Sequence, residues 1–113
     1  MILKVLQFIA VIGTFGTGFY ALFWPKSVQG FTGLRFEDGR GITEIRAILG
    51  ALFIGLAGSA YFLDQSVSFP MLGITYLVIA AVRLISMFLD NSVVSSNIIS
   101  VVVEVVFGVI LVL

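Results

Sequence analysis

The sequence predicts an all-α membrane protein, an antiparallel bundle of four transmembrane helices, and three observations point to this fold class. Of the 113 residues, 60% are hydrophobic and only 11% are charged, whereas an average soluble domain has about 25% charged residues. The mean hydropathy is +1.22. Four separate stretches each hold roughly 20 mostly apolar residues, enough to cross a bilayer. We therefore expect lipid around the chain, and a single domain over residues 1–113.

The composition also excludes several classes of function. Six Lys and Arg residues balance six Asp and Glu residues, so no basic surface predicts nucleic-acid binding. There is no Cys and no His, which removes disulfides, thiolate nucleophiles, imidazole bases and zinc sites built on these residues. No metal site is expected, and the sequence indicates no particular cofactor.

The four apolar stretches are separated by charged or turn-rich segments. The first is too long for the apolar region of a signal peptide and lacks a cleavage pattern, so we interpret it as a retained helix. A long polar connection over residues 25–43 follows it, with a short amphipathic turn expected around residues 28–36. The predicted spans are residues 5–24, 44–63, 70–89 and 95–113.

Residues at the ends of these spans are typical of helix boundaries. Trp24 precedes a proline that cannot continue the first helix. Thr43 is predicted to cap the second span, with Glu44 in its first turn. Pro70 suits the first position of the third span, and Ser68 is near enough to cap it. The polar residues 90–92 are expected to close that third helix.

Small residues recur every four positions along three of the spans. Such stripes favour close helix contact in lipid, although membrane helices are generally rich in Gly and Ala. The pattern therefore predicts that these faces pack, within one chain or between chains. The stripes are Gly13, Thr17 and Ala21; Ala47, Ala51, Gly55 and Ser59; and Ser96, Ser100, Glu104 and Gly108.

Two charged residues lie deep within predicted spans. At roughly 1.5 Å of rise per residue, Arg83 is about 9 Å inside Leu89, and Glu104 is about 13 Å inside Ser95. If successive helices alternate in direction, the two residues lie at a similar depth in the same leaflet of the bilayer. Because an isolated central charge costs at least about 2.5–3.5 kcal/mol, we expect Arg83 and Glu104 to be direct or water-bridged partners.

Further polar residues are expected on the same side of the bundle. Glu44 and Arg46 lie at the start of the second span, and Ser86 and Asp90 share a helix face with Arg83. One interpretation is an ion pair that fixes helix register; the other is a pocket or proton path, in which a glutamate carries the proton because Arg stays protonated. The candidate polar site comprises Glu44, Arg46, Arg83, Ser86, Asp90 and Glu104.

These charged motifs resemble the domain of unknown function 4345 family, small four-helix bacterial membrane proteins related distantly to the DoxX-like group. The resemblance covers nearly the whole chain and departs from the family pattern at Val82 and Asn91. It implies that the polar residues form one site, and membership of a larger membrane assembly, but no activity. The motifs are Trp24-Pro25, Glu44-Ile45-Arg46-Ala47, Arg83-Leu84-Ile85-Ser86 followed by Asp90, and Glu104.

Three functions remain open at this point. The first is a non-enzymatic subunit or partner protein in a membrane assembly, in contact with the lipid bilayer and with another membrane protein or a second copy. The alternative is a small carrier that binds a polar or anionic solute, or a proton, at the polar cluster. A membrane enzyme with Glu44 or Glu104 as base is weakest, because no nucleophile, metal set or phosphate loop is present.

The charge distribution also predicts a location. Lys26, Arg35 and Arg40 lie in the long loop, against Lys4 and the amino terminus on the other side. Because cytoplasmic loops are enriched in Lys and Arg, the 25–43 loop is predicted to be cytoplasmic, in a bacterial cell membrane.

Overall fold

A computed structural model describes all residues, 1–113, and the chain is helical apart from short connections. Four helices are long and apolar enough to cross a membrane, with mean hydropathies from 1.6 to 2.2; α2 is short. The helices are α1 (Ile2–Phe23), α2 (Pro25–Thr32), α3 (Gly39–Phe62), α4 (Gln65–Leu89) and α5 (Ser95–Val112).

The connection after α1 contains a short helix. α1 ends at Phe23, and Pro25 is the first residue of α2, where its missing N–H is not needed. α2 ends at Thr32, and the next residue, Gly33, caps it with a φ of 75°, which suits a residue without a side chain. Val28 of α2 is buried against Ala21 and Ile45. The predicted polar loop is therefore a packed helix followed by residues 33–38.

α3 begins earlier than its predicted cap. Asp38 is the N-cap, and its carboxylate accepts hydrogen bonds from the backbone N–H groups of Arg40 and Gly41. Thr43 lies inside the helix and donates to the carbonyl of Gly39. The prediction of Thr43 as the cap is therefore wrong. A carboxylate in extended backbone satisfies the free N–H groups of a first turn, and Asp38 supplies it one turn earlier.

α4 also begins before its predicted start. Asp64 caps it through the backbone N–H of Ser66, and Pro70 lies inside the helix rather than at its first position. Ser68 is not a cap, because its hydroxyl donates to the carbonyl of Ala60 in α3. Pro70 is tolerated here because it removes only one helix hydrogen bond near the start.

The interior of α3 contains a π-helical segment, Ile45–Ala51. Its longer hydrogen-bonded turn rotates the residues before it relative to those after it. Ala47, Ala51 and Gly55 consequently lie exposed, while the buried positions are Ile45, Gly50, Ala57 and Ala60. Within the chain, therefore, this predicted stripe does not pack, except that Ser59 is half-buried.

Glycine contacts hold the helices together in pairs. A Cβ on Gly18 of α1 would lie 2.6 Å from the carbonyl oxygen of Gly50 in α3. A Cβ on Gly73 of α4 would lie 2.8 Å from the carbonyl oxygen of Gly108 in α5. These backbones approach more closely than any side chain allows.

The predicted stripe of α5 is its packing face. Glu104 and Gly108 are buried, and Ser96 and Ser100 are half-buried. In α1 the prediction is confirmed only in part, since Ala21 is buried and Gly13 half-buried while Thr17 is exposed. The main core joins α1, α3, α4 and α5 through Ala10, Val11, Ala57, Ala60, Phe69, Leu72, Tyr76 and Leu111.

The outer surface is apolar. Only 22 of the 113 residues are buried, and large hydrophobic side chains on all four long helices are exposed, among them Ile12, Leu52, Val82 and Ile99. Monomeric soluble proteins rarely expose contiguous apolar patches of this extent. The helices therefore present to their surroundings a surface that water solvates poorly.

Candidate functional site

Arg83 and Glu104 form a direct ion pair between α4 and α5. The Nε of Arg83 donates to both carboxylate oxygens of Glu104, at 2.7 and 3.1 Å. The Glu104 side chain is 9% exposed, and that of Arg83 is 35% exposed. The predicted partnership is confirmed, and the pair has a buried acid facing a partly accessible base.

Asn97 extends this pair toward the α4–α5 connection. Its Oδ1 accepts a hydrogen bond from Nη1 of Arg83 at 3.2 Å, and its Nδ2 donates to the carbonyl of Ser92 at 2.9 Å. Asn97 was not among the predicted site residues. It lies seven residues before Glu104, two turns along the same helix face, and that spacing is the signal that would have identified it.

The network around Glu104 leaves no buried polar side-chain atom without a hydrogen-bond partner. Charged groups removed from water are costly unless paired in this way. Because the pair joins two helices at one height, its clearest physical effect is to fix the register of α4 against α5.

Ser86 and Asp90 form a second, separate group at the end of α4. The Ser86 hydroxyl donates to Oδ2 of Asp90 at 2.6 Å, one helical turn further along. Asp90 follows Leu89, the last residue of α4, and is exposed. No ion pair joins Asp90 to Arg83, although both lie on α4.

Glu44 and Arg46 form a third group, on α3 near the end of α1. Glu44 pairs with Arg40 one turn before it, and both side chains are largely exposed. Arg46 Nε donates to the carbonyl of Leu22 at 3.1 Å, close to the end of α1. Neither residue forms a hydrogen bond with Arg83 or Glu104, so the six predicted residues divide into three groups rather than one hydrogen-bonded cluster.

An open groove of about 430 Å³ lies beside the ion pair. Its volume falls within the range of small-molecule sites, about 300–1,000 Å³. Arg83 is the charged residue of its wall, whereas Glu104 lies behind and does not line it. The lining residues are Val78, Ile79, Val82, Arg83, Ser86, Met87, Ser92 and Asn97.

A buried hydroxyl pair, absent from the sequence prediction, links α1 to α4. The Thr14 hydroxyl donates to the carbonyl of Ala10 at 2.8 Å and lies 2.5 Å from the hydroxyl of Tyr76. Because a hydroxyl has one proton, Tyr76 must donate to Thr14. Phe107 of α5 packs edge-on against the Tyr76 ring, and the two buried hydroxyls satisfy each other, which indicates a structural link.

No family model, no curated protein and no solved structure matches this chain.

Proposed function

We propose that the protein is an integral membrane protein and a non-enzymatic subunit or partner in a membrane assembly, in which the Arg83–Glu104 pair holds the fold. The observation that carries the proposal is the combination of four long apolar helices with exposed hydrophobic side chains and a buried carboxylate, Glu104, paired with Arg83. Such a surface is stable against lipid and against other apolar helices.

An antiparallel arrangement of the four spans is part of this proposal. Gly18 of α1 lies next to Gly50 of α3. Leu22, which comes later in α1, is hydrogen-bonded to Arg46, which comes earlier in α3. A similar reversed order relates α4 to α5, where Gly73 lies at Gly108 and Arg83 at Glu104. Both orders support helices that alternate in direction across the bilayer.

The saturated hydrogen bonding of Glu104 supports a structural role for the pair. Both of its oxygens accept from Arg83, and the carboxylate does not line the groove. A solute that bound Glu104 would first have to displace Arg83. The exposed apolar faces, in contrast, are open to a neighbouring helix without any rearrangement.

The same proposal includes two further assignments. They are membership in the domain of unknown function 4345 family and a location in a bacterial cell membrane, with the 25–43 segment on the cytoplasmic side. They rest on the charged motifs around Glu44, Arg83 and Glu104 and on the basic residues of that segment.

Two measurements test the proposal. We expect the protein to stay with membranes through an alkaline carbonate wash and, in a mild detergent, to migrate in native mass spectrometry as a complex heavier than one chain. Release by carbonate would contradict membrane insertion. A single chain under all mild detergents would contradict the subunit role.

A small carrier is the second candidate, favoured by the groove that reaches Arg83. It would bind a polar or anionic solute, or move a proton, at the ion pair. Reconstituted into liposomes, a carrier would lose solute or proton flux on Glu104→Gln but not on Glu37→Gln, the same change at an exposed acid. Equal flux in wild type and Glu104→Gln would exclude this candidate.

A further inference from the structure

The groove beside the ion pair presents hydrogen-bond donors that the protein itself does not use. Arg83 donates through Nε to Glu104 and through Nη1 to Asn97, while Nη2 makes no hydrogen bond within the chain. The guanidinium lines the groove, and its side chain is about one-third exposed. The two N–H donors of Nη2 are thus available to an acceptor-rich ligand group such as a phosphate.

An exposed carboxylate, Asp90, does not line the groove but is hydrogen-bonded to Ser86, which does. Ser86 forms part of its wall and donates to Oδ2 of Asp90, whereas Oδ1 of Asp90 accepts no hydrogen bond. Asp90 stands at the C-terminal end of α4, where the helix dipole disfavours a carboxylate. A cationic group is the complement that this position lacks.

Apart from Arg83 and Ser86, the part of the groove wall formed by α4 is apolar. Val78, Ile79, Val82 and Met87 line it, and Val78 and Val82 are more than half exposed. A ligand that fits this lining has a hydrocarbon portion along α4, a phosphate at Arg83 and a cation near Asp90. Seven residues separate Arg83 from Asp90, so they share one helix face about 10 Å apart along the axis.

We propose that this groove binds a zwitterionic phospholipid with a primary ammonium head, of the phosphatidylethanolamine class; the proposal rests on the membrane insertion proposed above. The phosphate accepts hydrogen bonds from Nη2 of Arg83, and the ammonium donates to Asp90. An acyl chain lies along Val78 and Val82. The long Arg83 side chain reaches from within the span toward the headgroup region, as arginines near helix ends do.

The local charge balance favours this class over a purely anionic ligand. Glu104 already neutralises Arg83, and Asp90 adds a negative charge next to Ser86, a residue of the groove wall. An anionic headgroup or free phosphate would gain the Arg83 donors but face Asp90 unpaired. A zwitterion satisfies both groups, and its lipid chain covers the apolar wall.

The experiment is native mass spectrometry of the detergent-purified protein with defined lipid mixtures. We expect phosphatidylethanolamine to be retained over phosphatidylglycerol, and Val82→Trp, which fills the groove, to abolish this retention. Val102→Trp is the matched control, since Val102 is a similarly exposed valine of α5 outside the groove. Equal retention in the two tryptophan variants would overturn the site.

The charge requirement is tested separately. Asp90→Asn should weaken phosphatidylethanolamine retention by about three- to fivefold, as loss of an exposed charge contact does, and Glu37→Gln should not. A preference for phosphatidylglycerol, or displacement of the lipid by millimolar inorganic phosphate, would overturn the assignment. Because these measurements use protein already extracted from membranes, their failure is distinct from failure of the membrane proposal.

Discussion

Arg83 and Glu104 differ in what each would lose if the other were removed. Glu104 is buried, and without Arg83 its carboxylate would be left unpaired in an apolar interior. Arg83 is partly exposed and has Asn97 as a second partner, so without Glu104 it can turn toward the groove. The pair is therefore asymmetric, and the cost of breaking it depends on which residue is changed.

This asymmetry predicts an order of stabilities. Arg83→Met should lower the free energy of unfolding by about 3–5 kcal/mol. Glu104→Leu should lower it by less than Arg83→Met does. The double replacement, Arg83→Met with Glu104→Leu, should also lower it by less than Arg83→Met alone. Thermal or denaturant unfolding in detergent, followed by circular dichroism, measures this order. If Glu104→Leu proves the most damaging variant, the buried carboxylate is not the group that needs its partner.

The uncharged hydrogen bond between Tyr76 and Thr14 allows a test of the core that involves no ionised group. Tyr76→Phe removes the hydrogen bond to Thr14, while Thr14 keeps its bond to Ala10. We expect a loss of about 1 kcal/mol in unfolding free energy. Tyr61→Phe is the control, since Tyr61 is exposed and its hydroxyl forms no hydrogen bond. Equal unfolding of the two variants would show that the buried hydroxyl pair contributes nothing.

At the scale of elements, the π-helical segment decides which face of α3 packs. It brings Gly50 against α1 and leaves Gly55 open, where an added Cβ would contact nothing within 4 Å. Leu56, beside Gly55, packs partly buried against the core. The contact that joins α3 to α1 therefore lies at Gly18 and Gly50, not along the four-residue stripe visible in the sequence.

Gly18→Ala and Gly55→Ala form a matched pair that tests this geometry. Gly18→Ala should destabilise the protein by about 1–3 kcal/mol because its Cβ would meet the backbone of Gly50 and Ile54. Gly55→Ala should be neutral or stabilising by roughly 0.5–1 kcal/mol, since alanine favours a helix. Unfolding in detergent ranks them, and the reverse ranking would place the α1–α3 contact elsewhere.

The N-terminus of α4 carries a pH-dependent contribution. Hydrogen bonds from the side chain and backbone of Ser66 hold the pKa of Asp64 below its ordinary value of 3.8. A lowered pKa in the folded state stabilises it above that ordinary value, and this stabilisation is lost as the pH falls through the folded-state pKa.

The Asp64→Asn variant isolates this effect. Asparagine is also a good N-cap but does not titrate. We expect wild type to lose stability relative to Asp64→Asn below about pH 4, and the difference between them to be constant from pH 5 to 7. Unfolding curves across this range provide the measurement. A difference that is constant throughout would mean that the Asp64 cap contributes no pH dependence.

At the scale of the whole molecule, two helix pairs, α1 with α3 and α4 with α5, are built around close glycine contacts, and hydrophobic side chains cover the outside. The ion pair, the groove and Asp90 all lie on the second pair. The Arg46 contact to Leu22 lies on the first pair. The charged contacts are thus divided between the pairs, whereas uncharged hydrogen bonds such as that of Tyr76 with Thr14 join one pair to the other.

The proposed insertion predicts the orientation of the chain. Lys26, Arg35 and Arg40 favour a cytoplasmic position for the segment after α1, which places both termini on the outer side. A reporter active only outside the cytoplasm, fused after Leu113, should be active. Activity of a cytoplasmic reporter at the same position would reverse the assignment.

Residue chemistry alone predicted the deep ion pair, because helix rise and the cost of an isolated charge leave few partners for Arg83. It did not predict Asn97, the Tyr76–Thr14 bond or the separation of Glu44 and Arg46 from the pair. These depend on how each helix is rotated about its axis, and a four-residue spacing of small residues does not determine that rotation when a π-helical segment intervenes.

Sequence reasoning was sufficient for the helical class, the four long apolar helices and the matched depth of Arg83 and Glu104, because each follows from local composition and a constant rise per residue. The folded structure was needed to locate the starts of α3 and α4, the packing face of α3 and the groove between Arg83 and Ser92. Each of these results from competition between alternatives of similar energy: Asp38 against Thr43 as a cap, Gly50 against Gly55 as a contact. Local hydrogen bonds to the Asp38 carboxylate resolve the first competition, and the contact between α1 and α3 resolves the second.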